Sequence, residues 1–100
     1  KSEITEQHLP LLEKVQTILR LFPEKPLVVE GHTDATGDPQ TNTQLSDKRA
    51  YAVMQYLRQA LGIPSDRIRA IGYGPDKPIA SQSTPEGRAK NRRIDIVIMQ

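Results

Sequence analysis

Residues 42–61 (NTQLSDKRAYAVMQYLRQAL) place the strongest constraint on what this chain can become. At about 100° per residue, Leu45, Ala52, Val53, Tyr56, Leu57 and Ala60 gather into one apolar stripe, which predicts a single long helix. Arg49 falls at the centre of that stripe, where a leucine would be expected. A guanidinium facing a core is costly unless acceptors meet it, so the sequence should contain its partner. The best candidate lies fifteen positions earlier, in Gly31-His32-Thr33-Asp34.

The remaining elements alternate around that helix with no linker and no internal repeat. Leu11, Leu12, Val15, Ile18, Leu19 and Phe22 recur at helical spacing and predict a helix over 9–22, with Pro10 tolerable only in its first turn and Pro23 and Pro26 ending it. Leu27-Val28-Val29-Glu30 reads as a short strand, too apolar on both faces for an exposed edge, that delivers Gly31 to Asp34 to its C-terminal end. The segment 35–41 (ATGDPQT) reads as a loop into the long helix, which stops at Gly62 with Pro64 beyond. A strand is expected over 67–73, mostly loop over 74–90, and a strand from Arg92 or Arg93 to Met99. In that last strand Arg92 shares a face with Ile94, Ile96 and Ile98, and Arg93 shares the other with Asp95 and Val97. The order helix, strand, helix, strand, strand predicts a two-layer α/β (α+β) sandwich, a small mixed sheet against two main helices. Three strands make a narrow sheet, so a strand preceding Lys1-Ser2-Glu3-Ile4 is expected to be largely missing, leaving one edge open or filled by another segment.

Composition narrows the function classes. A chain of 100 residues makes one domain, 1–100, with one modest core. The absence of cysteine removes disulfides, thiolate metal sites and a cysteine nucleophile. No apolar run approaches the roughly twenty residues of a membrane span, so no direct membrane insertion by this segment is expected. Arg88, Lys90, Arg92 and Arg93 crowd one segment, which raises nucleic acid as an alternative partner. The net charge is only +2, and none of the four aromatic residues is interleaved with that cluster, so the alternative is weak. An enzyme built on His32 and Asp34 would need a nucleophile or a complete metal shell, and His32, Asp34 and Asp38 have no further ligand at a telling spacing. No cofactor is expected, and His32 reads as a residue that packs or supports the site's neighbours rather than as a catalyst or metal ligand.

Gly31-His32-Thr33-Asp34, Gly37, Asn42, Leu45-Ser46, Arg49-Ala50, Gly72-Tyr73-Gly74, Pro78-Ile79, Gly87-Arg88 and Asn91-Arg92-Arg93-Ile94-Asp95-Ile96 resemble, in order and spacing, the OmpA-like peptidoglycan-binding domain. That domain is shared by outer-membrane porin tails, the peptidoglycan-associated lipoprotein and flagellar stator subunits. Ser2-Glu3-Ile4 resembles the end of the family's first strand. The resemblance implies a β-α-β-α-β-β core and a ligand, the meso-diaminopimelate of the Gram-negative stem peptide. It implies that Asp34 and Arg49 grip the ligand's free amino-acid end with Arg92 nearby. It also implies a periplasmic domain that anchors a larger outer-membrane or other envelope protein to the wall, without catalysis.

The ligand chemistry agrees with those residue types. The free end of diaminopimelate carries an ammonium and a carboxylate on one carbon, so its receptor needs an acceptor and a donor a few ångströms apart. Asp34 supplies the first, and Arg49 supplies a planar fork that can pair both carboxylate oxygens. An Arg49 near the helix N-terminus would share the anion with free backbone N–H groups. Thr33, Asn42, Leu45 and the backbone at Gly37 complete the candidate site. Taken without the resemblance, the residues favour a purely structural Asp34–Arg49 ion pair; with it, binding is favoured, and a pair that bridges in the empty site can open to admit a zwitterion. Arg88 and Arg93 read as solvated or sheet-face charges, Tyr51 as surface and Tyr56 as core.

Overall fold

The computed structural model describes residues 9–99. Helix α1 (Leu9–Leu21) ends ahead of Pro23 and turns Val15 fully inward, with Leu11, Leu12, Ile18 and Leu19 packed against the core. Strand β1 (Leu27–His32) is the central strand of a three-stranded mixed sheet. It pairs in parallel with β2 (Ile68–Gly74) and antiparallel with β3 (Arg93–Ile98). The apolar character of both faces predicts this central place, and Val28 and Val29 on opposite faces are both buried. Residues 1–8 lie outside the described residues, and with them the strand end expected at Ser2-Glu3-Ile4.

Helix α2 (Pro39–Leu61) begins earlier than its apolar stripe suggests. Asp38 caps it, accepting from the Thr41 N–H at 2.8 Å, and Pro39 occupies a first-turn position where its missing N–H costs nothing. Gly62 ends the helix in the left-handed region at φ 66°. The buried residues of α2 are Ser46, Ala50, Val53, Met54 and Leu57, so its inward face is rotated by roughly a quarter turn from the Leu45–Ala52–Tyr56 stripe. Arg49 is therefore exposed, and the expectation that it faces the core is wrong.

The cause lies in the sheet. A Cβ on Gly31 would run into the Ser46 carbonyl, one on Gly72 into the Asp47 amide and the Ser46 hydroxyl, and one on Gly74 into Thr43. The helix backbone lies so close to these strands that only small side chains fit beneath it, and Ser46 and Ala50 occupy that position. Leu45 is displaced to the flank at 39% exposure. Close approach also lets helix side chains serve the strand: Asp47 Oδ1 accepts from the Gly72 N–H at 2.6 Å, and Ser46 Oγ accepts from Gly74 at 2.9 Å.

The segment expected to be mostly loop contains a short helix, α3 (Pro85–Asn91). Thr84 Oγ1 accepts from the Gly87 N–H at 2.9 Å and Pro85 follows at the helix start, an N-terminal signal hidden in a Pro/Gly/Ser/Thr-rich stretch. The final strand begins at Arg93, and Arg92 is the C-cap of α3. Gly72→Ala is expected to lower stability by about 1–3 kcal/mol by overpacking, whereas Leu45→Ala should cost under about 1 kcal/mol. Urea unfolding of the two variants checks this, and the reverse order would mean that α2 seats on its leucine flank.

Candidate functional site

Because β2 runs parallel and β3 antiparallel to β1, the ends of β1 and β2 and the start of β3 meet at one end of the sheet. That end is where open α/β sheets take ligands. Strand β1 hands Thr33 and Asp34 to the loop that enters α2, and the Thr33 N–H still bonds to the Gly74 carbonyl at 2.9 Å. Asp34 is largely covered, at 9% exposure. Its Oδ1 accepts from the Thr36 N–H at 2.8 Å and its Oδ2 from the Arg92 guanidinium at 2.6 Å. Both bonds favour the ionised carboxylate, so the Thr36 N–H first and Arg92 second hold Asp34 below the usual aspartate range.

The loop around Asp34 is fixed from several sides. Thr33 Oγ1 donates to the Asp34 carbonyl at 2.9 Å, Asn42 Nδ2 to the Thr36 carbonyl at 2.7 Å, and the Ala35 N–H to Gln82 Oε1 at 3.1 Å. Gly37 turns the chain into the Asp38 cap with φ 86°, a conformation that suits glycine.

Arg92 is positioned by its neighbour. Asn91 is fully buried; its Oδ1 accepts from the N–H groups of Ile79 and Ala80 at 2.7 and 3.0 Å, and its Nδ2 donates to the Ala80 carbonyl at 3.0 Å. This one side chain ties the end of α3 to the loop before it. Sequence reasoning missed that role; an asparagine directly before a charged pair at a strand start was the only local signal. Arg93 points the other way, as the alternation predicts, with Nε 2.9 Å from Asp95 Oδ2 and a further bond to the Lys77 carbonyl at 3.0 Å.

The expected Asp34–Arg49 ion pair does not form; Arg92 takes the place beside Asp34. Arg49 is exposed and has no hydrogen bond or ion pair among the described residues. It stands ten residues past Pro39, roughly 15 Å along the axis, beyond the reach of the helix N-terminus, which corrects that expectation as well. Asn42, Leu45 and Arg49 nevertheless form one row on α2, at helical spacings of three and four. That row begins at the Asp34 loop, through the bond from Asn42 to Thr36.

His32 occupies the sheet face turned away from α2. It is 3% exposed and its ring stacks on Tyr73 at a centroid distance of 5.6 Å, with Lys77 Nζ 3.9 Å from the Tyr73 ring centroid. Burial, aided by Arg93, lowers its pKa against the opposing pull of Asp95 and Glu30. The ring therefore packs as expected.

Among the described residues, three helices, a three-stranded mixed sheet and a carboxylate–guanidinium pair at the strand ends make a small α+β domain. The chain belongs to the OmpA family, whose sequence model matches residues 1–92. It is 37% identical to outer membrane porin F of Pseudomonas aeruginosa over 95% of this chain, and 44% identical to the peptidoglycan-binding protein ArfA of Mycobacterium tuberculosis over 88%. It spans 27% of the length of each of these relatives. Among solved structures, the peptidoglycan-associated lipoprotein of Burkholderia pseudomallei matches with a TM-score of 0.83 and 31% identity, covering 97% of this chain and 81% of that one. The C-terminal domain of Helicobacter pylori MotB matches at 0.83 and 29%, covering 98% and 76%.

A carboxylate whose folded pKa lies below its unfolded value stabilises the fold at pH above the unfolded value, and that contribution disappears as pH falls through the folded one. Carbon-detected NMR titration should place Asp34 below the usual aspartate range, and Arg92→Ala should raise it only partway, because the Thr36 N–H remains. A full return to the ordinary range would show that Thr36 contributes nothing. Asn91→Ala removes the partner of three part-buried backbone groups and empties a fully buried side-chain position, and should cost at least about 2 kcal/mol in urea unfolding.

Proposed function

We propose that residues 1–100 act as one domain that binds peptidoglycan non-covalently through the meso-diaminopimelate of the stem peptide. In this reading the domain sits in the periplasm and holds a larger envelope protein to the wall, without catalysing a reaction. One observation carries it: Asp34 is fixed as a carboxylate by Thr36 and Arg92, while Arg49 presents an exposed guanidinium, with no partner among the described residues, on the row that begins at the Asp34 loop. Two acceptor positions of Asp34 are occupied, and an ionised carboxylate offers about four, so room remains for an ammonium.

In this mechanism Asp34 takes the ligand's ammonium and Arg49 its carboxylate, as a two-pronged pair. Leu45, exposed between Asn42 and Arg49, covers the ligand's methylene chain. Arg92 keeps Asp34 ionised and offers its remaining N–H groups to the carboxylate. Thr33, Asn42 and Gly37 act by holding the loop, since the Thr33 hydroxyl and the Asn42 amide already bond within it. The relatives support the assignment: ArfA is named a peptidoglycan-binding protein, and a further neighbour at a TM-score of 0.77 is the cell wall anchor of the Pseudomonas aeruginosa T6SS. Nucleic acid is disfavoured because Arg88 and Arg93 are engaged, with the Gln82 carbonyl and Asp95, and Arg92 is turned to Asp34.

Calorimetry with soluble muropeptides tests the reading. Diaminopimelate-type stem peptides should bind and lysine-type ones far more weakly, because lysine lacks the side-chain carboxylate; equal binding would overturn the zwitterion mechanism. Asp34→Asn and Arg49→Ala should each weaken binding at least about 30-fold, and Arg93→Ala by no more than about threefold. Since Arg49 is exposed, Arg49→Leu should abolish binding with stability unchanged within about 0.5 kcal/mol, and retained binding by this variant would remove Arg49 from the site.

A further inference from the structure

We propose that Glu30, His32 and Asp95 form a binding site for a divalent transition-metal ion, of the Zn²⁺ or Co²⁺ type, on the sheet face opposite α2. Alternation along β1 turns Leu27, Val29 and Gly31 toward α2 and Glu30 and His32 away from it. The antiparallel register sets Glu30 opposite Asp95, and His32 opposite Arg93. One donor atom from each of Glu30, His32 and Asp95 lies within 4.8 Å of the other two.

The imidazole supplies the second observation. The His32 side chain is 1% exposed, and neither ring nitrogen has a hydrogen-bond partner among the described residues. Its Nε2 points between two carboxylate oxygens, 3.6 Å from Glu30 Oε1 and 3.5 Å from Asp95 Oδ2, too far for hydrogen bonds. The two separations from Nε2 suit a shared ion, since ligands about 2.0–2.1 Å from a tetrahedral metal stand about 3.3–3.4 Å apart, and the two carboxylates would close on the ion from within 4.8 Å of each other.

The surroundings fit a coordination shell. Arg93 Nε holds Asp95 through a 2.9 Å contact with Oδ2, the same oxygen that faces His32, so a bound ion would share that oxygen with the guanidinium. Tyr73 stacks on the imidazole and fixes its plane. Asp95 is 41% exposed at its side chain, which leaves a route for the ion and positions for water. One imidazole nitrogen with two carboxylate oxygens suits Zn²⁺, Co²⁺, Mn²⁺ or Fe²⁺, whereas Mg²⁺ and Ca²⁺ favour oxygen throughout. A bound ion would clip β1 to β3 directly before Asp34 and beside Arg92. The ligands lie 65 positions apart at their extremes, so no spacing motif reveals them.

The test uses the full chain stripped with a chelator and then titrated with Co²⁺, read by its visible d–d absorption, and with Zn²⁺, read by calorimetry. Saturable binding of one ion per chain is expected, with a shift of the His32 Nε2 ¹⁵N resonance on adding Zn²⁺. Glu30→Gln and Asp95→Asn are partly exposed positions whose folding circular dichroism can verify, and each should weaken Zn²⁺ at least about tenfold. His8→Gln should leave the affinity unchanged. Absence of saturable binding below millimolar Zn²⁺, affinity that survives the double carboxylate variant, or affinity that follows His8 overturns the site.

Discussion

The separation between α2 and the sheet is set by Gly31, Gly72 and Gly74, where any side chain would meet helix backbone or the Ser46 and Thr43 side chains. With those positions bare, Ser46 and Ala50 can sit on the strands, and Ser46 and Asp47 can bond to N–H groups of β2. The same seating turns α2 about its axis so that Asn42, Leu45 and Arg49 face outward on one row. A leucine at position 46 would push the helix off the strands and rotate that row. The surface chemistry of α2 is thus a consequence of backbone contact at its inner face.

A second constraint converges on Asp34 from the opposite end of the chain. The carboxylate needs a backbone N–H from its own loop and a guanidinium from Arg92, 58 positions away. Arg92 in turn is placed by α3, whose capping threonine and buried Asn91 hold a stretch of otherwise irregular chain against β3. Each polar contact is modest in net energy, but losing one leaves a buried group unpaired, which is what keeps the site in one geometry.

The fold was legible where hydrophobic periodicity was the governing term. Strand β1 reads as central because Val28 and Val29 are apolar on both faces, and the last strand's alternation separates Arg93 from Ile94 and Ile96 correctly. Periodicity misplaced Arg49 because α2 packs on glycines, where the inward residues are small and leave no apolar signature. Asp38-Pro39 and Thr84-Pro85 are helix starts written in capping chemistry, yet both lie among residues typical of loops. The partner of Asp34 was not legible at all: nothing local distinguishes Arg92 from Arg49 as its neighbour, since the choice depends on how the C-cap of α3 meets the first strand. The resemblance to the OmpA-like domain supplied the family, and the structure assigned the contacts within it.

The central claim is that a zwitterion is held at the strand ends between the Asp34 loop and the Asn42–Leu45–Arg49 row. The most direct measurement is NMR mapping with free meso-diaminopimelate, following backbone amides together with the arginine Nε resonances. The account predicts saturable shifts at Asp34, Thr36 and Leu45 and at the guanidinium groups of Arg49 and Arg92, with Arg69 and Val97 on the far face of the sheet unmoved. Saturable shifts confined to that far face, with Arg49 and Thr36 silent, would contradict it.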